Sequence, residues 1–117
     1  MIERRKQQSS ASLKLLGDVN ETKDKSGNTI LSGEIKNIGT QRADLVRIDF
    51  TLRTNWQGDI EILTAYVSGA SYVFKKSGII SNSSVLPGAI APFKIIIPKS
   101  LGNFIGYSYD IYWDYYE

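Results

Sequence analysis

Two carboxylate pairs, Asp110 with Asp114 and Asp59 with Glu61, are the nearest this 117-residue chain comes to an acid–base site. Residues two or four apart on an extended strand share a face, so each pair points the same way, as general acid–base catalysis would need. Both pairs also fall on the polar parity of alternating strands, which is where solubility alone puts carboxylates, so they read as solvated. There is no His and no Cys. That removes the commonest general base and metal ligand, every Ser-His or Cys-His arrangement, and any disulfide framework. Lys23-Asp24-Lys25-Ser26-Gly27-Asn28 is rich in oxygen, but two lysines oppose a dication and the acidic spacing of a calcium loop is missing. It reads as a turn. Asn20-Glu21-Thr22 and Asn82-Ser83-Ser84 fit the glycosylation acceptor pattern, which arises often by chance. No catalytic residue, cofactor or metal is expected, and the chain reads as a non-enzyme.

Aromatic side chains are the one surplus. Tyr107, Tyr109, Trp113 and Tyr115 share a parity that suits a core, whereas Tyr112 and Tyr116 lie on the opposite parity. With Trp56, which sits in a connection, Tyr112 and Tyr116 form the candidate ligand- or partner-binding set. Tyr-rich faces suit protein partners and stacked rings suit sugars. Tyrosine is also simply a good residue for a half-buried strand.

The formal charge of +2 is carried by the first ten residues, Arg4, Arg5 and Lys6 against Glu3, so the remainder of the chain is balanced. A nucleic-acid binder concentrates basic residues on one face. Here Ser100 to Glu117 carries Asp110, Asp114 and Glu117 without any Lys or Arg, so nucleic-acid binding by the body is not expected. Residues 1–11 lack apolar periodicity and read as a flexible arm whose basic triplet could sit beside an anionic membrane; a solvated tail is the simpler reading. No apolar run reaches the roughly 18 residues of a membrane span, and none resembles a signal peptide. An extracytoplasmic location therefore requires a signal or anchor upstream of Met1.

Residues 12–117 read as one domain, large enough to bury roughly 65% of its unfolded surface. Leu13, Leu15 and Val19 alternate around Gly17, predicting a first strand at a sheet edge, bulged at that glycine. Leu31, Gly33, Ile35 and Asn37 share an inward parity, as do Val46, Ile48, Phe50 and Leu52, and the run 31–54 reads as a hairpin turning near Gly39. Gly33 in an apolar row predicts that a backbone or a large ring comes close. Asn37 on the inward parity must find partners, and backbone groups near Gly39 are the obvious ones. Residues 60–67 alternate with no wet side and read as a strand covered on both faces. Tyr72-Val73-Phe74 reads as a short edge strand guarded by Lys75 and Lys76; Ile79 and Ile80 precede Ser81-Asn82-Ser83-Ser84, and Val85-Leu86-Pro87-Gly88 reads as a turn. Phe93, Ile95 and Ile97 form the inward row of a strand bracketed by Pro92 and Pro98. Ile105, Tyr107, Tyr109, Ile111 and Trp113 form the largest such row, predicting a final strand inside a sheet, paired on at least one side. Seven or eight short strands, with turns every 8 to 12 residues and no helical period, give an all-β, antiparallel two-sheet sandwich.

Gly33-x-Ile35-x-Asn37-x-Gly39, followed by the alternating strand ending Phe50-x-Leu52, resembles the FxLYD family of small immunoglobulin-like domains in bacterial and archaeal surface proteins. The likeness extends over roughly residues 13 to 114 and includes Leu86-Pro87-Gly88 with the strand after it. Where that family has Tyr-Asp, this chain has Arg53-Thr54. The resemblance implies an immunoglobulin-like β-sandwich serving as an accessory or interaction domain outside the cytoplasm. It points first to a protein partner, with a carbohydrate, or a partner strand that completes a sheet, as alternatives.

Overall fold

The computed structural model describes residues 11–54, 58, 60–73, 80–101 and 104–114. Among them are eight strands: β1 (Leu13–Lys23), β2 (Thr29–Asn37), β3 (Asp44–Arg53), β4 (Ile60–Tyr66), β5 (Ala70–Val73), β6 (Ile80–Ser84), β7 (Ile90–Ile97) and β8 (Gly106–Asp114). A 3-10 turn lies at Lys99–Leu101. All pairings are antiparallel. The sheets run β1-β2-β7 and β4-β3-β8, with β5 and β6 as a separate pair. No helix among the described residues is long and apolar enough to cross a membrane.

The two large sheets face each other across the inward rows that period-2 alternation marks out. Leu31 and Ile35 from β2, Val46, Ile48, Phe50 and Leu52 from β3, and Phe93 and Ile97 from β7 are all buried to 3% exposure or less. Phe50 is the centre of the aromatic packing. Its ring centroid lies 5.9 Å from Phe93, 5.7 Å from Tyr107 and 6.3 Å from Tyr109, within the range where tilted and edge-on rings attract. Ala11 is also buried within this cluster, so the packed body takes in one residue assigned by sequence to the arm.

The hairpin expected over residues 31–54 does not form. β2 is bonded on one side to β1 and on the other to β7, and β3 to β4 and β8, so each is already central in its own sheet. Residues 38–43 carry the chain across the sandwich instead. Alternation reveals which side chains face the core, but two strands facing each other across the core show the same alternation as two hydrogen-bonded neighbours.

Other local expectations are met. Pairing of β1 with β2 shifts between Leu16 and Asn20, where Gly17 has φ of 78°, and β1 is an edge strand. A Cβ on Gly33 would lie 2.9 Å from Cζ of Phe93, so the close neighbour is a ring. Asn37 is fully buried and saturated: its Oδ1 accepts from the backbone N–H of Gly39 at 2.9 Å and of Ser12 at 3.3 Å, and its Nδ2 donates to the carbonyls of Gln41 at 2.8 Å and Val85 at 2.9 Å. The amide thus ties β1, the crossing segment and the end of β6 together. Ala89 N–H bonds Leu86 C=O at 2.9 Å with Gly88 at φ of 81°, a turn in which proline fixes one torsion and glycine supplies the next.

Ser81 to Ser84 belongs to strand β6, with Ser81, Ser83 and Ser84 buried. Two expectations are corrected. β8 is paired on one side, as expected, with β3 alone, but it lies at the edge of its sheet rather than inside it, so its row is only partly covered. Pro92 sits within β7 rather than before it, tolerated because β7 is itself an edge.

Candidate interaction face

Strand register assembles a face that no sequence window contains. On the outer side of the β4-β3-β8 sheet, Tyr66, Arg47 and Tyr112 lie side by side in one cross-strand row; below it come Thr64, Asp49 and Asp110, then Ile62, Thr51 and Ser108, then Ile60, Arg53 and Gly106. Ile60, Ile62, Tyr66 and Tyr112 are 53%, 57%, 55% and 46% exposed. Leu63, Ala65 and Val67 are the buried or half-buried side of this segment. The reading of residues 60–67 as covered on both faces is therefore wrong. Ile60, Ile62 and Tyr66 lie on the outer face of the sheet and are more than half exposed.

Arg47 organises the row. Its Nη1 donates to the carbonyl of Leu45 at 2.8 Å and lies 3.5 Å from Oδ1 of Asp114, and its guanidinium carbon is 6.0 Å from the centroid of the Tyr112 ring. These contacts hold a cation beside the ring. Below it, Thr64 donates to Asp49 Oδ1 at 2.6 Å. The face is apolar along β4, cationic at Arg47 and acidic at Asp49 and Asp110.

Of the three residues singled out for binding, Tyr112 belongs to this face; Trp56 and Tyr116 lie outside the described residues. The carboxylate pair Asp110 and Asp114 does share the outer side of β8, but Asp114 is engaged with Arg47. Glu61 is exposed, and Asp59 lies outside the described residues. In the oxygen-rich turn, Asp24 Oδ1 accepts from the N–H of Ser26 and of Asn28, each at 2.9 Å, and Oδ2 from Asn28 Nδ2 at 3.1 Å. The Asn28 N–H above all holds the Asp24 carboxyl below its ordinary range, with the Asn28 amide and Ser26 N–H adding to it against some desolvation. Among the described residues no group of three His, Cys, Asp or Glu could hold a metal. Burial, then Glu21 and Tyr109, raises Tyr107 above the usual phenol value.

A second polar cluster was missed by sequence. Asp44 is fully buried and takes both Arg42 Nε at 2.7 Å and Nη2 at 3.2 Å, along with Ser84 Oγ at 2.8 Å. Ser81 Oγ lies 3.0 Å from Ser84 Oγ, to which its hydroxyl donates since the Ser84 proton is given to Asp44, and accepts from the backbone N–H of Leu45 at 3.2 Å. Leu45 has φ of 49° in the bulge where β3 shifts register against β8. Bonds to both its N–H and its carbonyl hold it in this uncommon conformation. The available signal was Asp44 itself, a carboxylate on the parity of Val46 and Ile48.

Comparison with known proteins gives no matching family model, no similar curated protein and no similar solved structure.

Proposed function

We propose that this chain is an immunoglobulin-like interaction domain of a prokaryotic extracytoplasmic or surface protein, binding a protein partner through the outer face of the β4-β3-β8 sheet. The observation that carries the reading is the exposed set of Ile60, Ile62, Tyr66 and Tyr112 around Arg47. Large apolar and aromatic side chains exposed together on one sheet face mark an interaction site, and Tyr and Arg are enriched where binding energy concentrates. The immunoglobulin-like part is supported by the strand order. β1 and β2 form a hairpin, the chain crosses to β3 and β4, then β7 returns beside β2 and β8 beside β3, a Greek-key exchange between two sheets. The FxLYD resemblance at Gly33 to Gly39 supports the compartment.

A photo-crosslinking residue placed at Tyr66 or Tyr112 in the full-length protein, in its own host, should give discrete protein adducts. The same probe at Ser32, on the opposite sheet, should not. Equal adduct yields at all three positions would sink the proposed face.

Carbohydrate is the second reading. Tyr66 and Tyr112 share a row two strand spacings apart, about 9.6 Å, which suits successive sugar rings. Glycan binding lost in both Tyr66→Ala and Tyr112→Ala, with no protein adducts, would favour it.

A further inference from the structure

We propose that the outer edge of β8 is a strand-acceptor site, taking an extended segment of a protein partner that carries Lys or Arg four positions apart on one face; this rests on the protein-interaction reading above. The phase of the hydrogen bonding comes from Val67 N–H, which bonds Val46 C=O at 3.1 Å and extends the β3–β4 ladder. In an antiparallel ladder bonded residues alternate. Ile48, Phe50 and Leu52 therefore bond toward β4, and Arg47, Asp49, Thr51 and Arg53 toward β8. It follows that Gly106, Ser108, Asp110 and Tyr112 of β8 bond toward β3, while Tyr107, Tyr109 and Ile111 turn their N–H and C=O groups outward. No described strand lies beyond them.

Proteins normally blunt such an edge with proline, lysine, a bulge or a covering segment. β1 is broken by its shift between Leu16 and Asn20 and carries Lys14 and Lys23. β7 contains Pro92, whose carbonyl already accepts Ser68 N–H at 2.9 Å. β4 has buried Ala65 and Val67 behind its edge, leaving an added strand little to cover. β8 runs for nine residues without Pro, Lys or Arg. Behind its edge the core-side row is incomplete, with Tyr109 39% exposed. A strand added here would gain backbone bonds and close the open side of the aromatic cluster on Phe50, which is how edge augmentation achieves affinity.

Charge selects the occupant. Asp110 stands directly opposite Asp49 in the ladder, and like charges so placed disfavour each other; Asp114, on the same outer face, lies 3.5 Å from Arg47 Nη1. A basic residue on the outer face of an incoming strand would lie beside Asp110, and another four positions along would lie beside Asp114.

The test uses the isotope-labelled full chain and an acetylated nine-residue peptide in which valine alternates with polar residues, two of them lysines four apart. In the unliganded chain the amides of Tyr107, Tyr109 and Ile111 should exchange faster than those of Ser108 and Asp110. The peptide should bind saturably, protect those three amides, and shift resonances on β8 and β3. The same peptide with glutamate for lysine should not bind, and Asp110→Lys should reverse that preference. Tyr109→Pro, which removes an outward N–H, should abolish binding, whereas Tyr109→Ala should retain it. Absence of saturable binding overturns the proposal, as does protection of the three amides before peptide is added. Shifts confined to Ile62 and Tyr66 would overturn the edge while leaving the interaction face standing, and edge binding without Tyr66 or Tyr112 adducts would do the reverse.

Discussion

Phe50 shows how much one inward position carries. It is fully buried and touches rings from both sheets, so Phe50→Ala removes contacts on both sides of the core and should cost about 3 to 5 kcal/mol. Urea titration placing the variant within about 1 kcal/mol of the parent would contradict its central role. Glycines test the packing in the opposite direction. A Cβ at Gly33 meets the end of the Phe93 ring, whereas one at Gly69 would strike the backbone carbonyl of Ser84. A ring can tilt and a backbone in a paired strand yields less, so Gly33→Ala should cost about 1 to 3 kcal/mol, as overpacking usually does, and Gly69→Ala more. Equal midpoints for the two variants would refute that ordering.

At the scale of elements, the turn between β1 and β2 is set by one carboxylate. Because the Asp24 carboxyl is held below its ordinary value of 3.8 in the folded chain, its contribution is complete above that value. It is lost as the pH falls through the lower, folded one. Thermal melts of the parent and Asp24→Ala should therefore differ at neutral pH and converge in strong acid; a gap that persists undiminished in acid would exclude this linkage.

The segment joining β2 to β3 is held instead by the Arg42–Asp44 pair. The Asp44 side chain is 0% exposed and that of Arg42 20%. Removing Arg42 leaves a buried carboxylate without its cation, but removing Asp44 leaves a guanidinium that can turn to water. Arg42→Ala should therefore approach the about 3 to 5 kcal/mol typical of a broken buried pair, and Asp44→Ala should cost less. Denaturant midpoints in the reverse order would show that the serines, not the arginine, satisfy Asp44.

For the whole molecule, charge and stability are separable. The first ten residues carry the entire formal +2, while the buried cluster runs from Ala11 to Ile97. A chain starting at Ala11 should keep its melting temperature but, with no net charge left, lose solubility near neutral pH at low salt. Differential scanning calorimetry and light scattering read the two effects independently, and a drop of several degrees would show that residues 1–10 contribute to stability.

The amino-acid pattern by itself determined the fold class and nearly every inward residue of β2, β3 and β7, because period-2 alternation records which side of a strand meets water. It likewise determined the Gly17 bulge, the crowding at Gly33 and the buried amide of Asn37, each of which depends on a local clash or an obligatory hydrogen bond. Only the tertiary structure decided which strands are neighbours. That choice separated β2 from β3, put β8 at an edge, and turned Ser81 to Ser84 into a strand that lines a buried carboxylate. The interaction face was decided the same way: Tyr66, Arg47 and Tyr112 are far apart in the chain and meet only through the registers of β4 and β8 on β3. Hydrogen-bonded pairing is set by how the connections cross between sheets, and residues far apart in sequence carry no local trace of it.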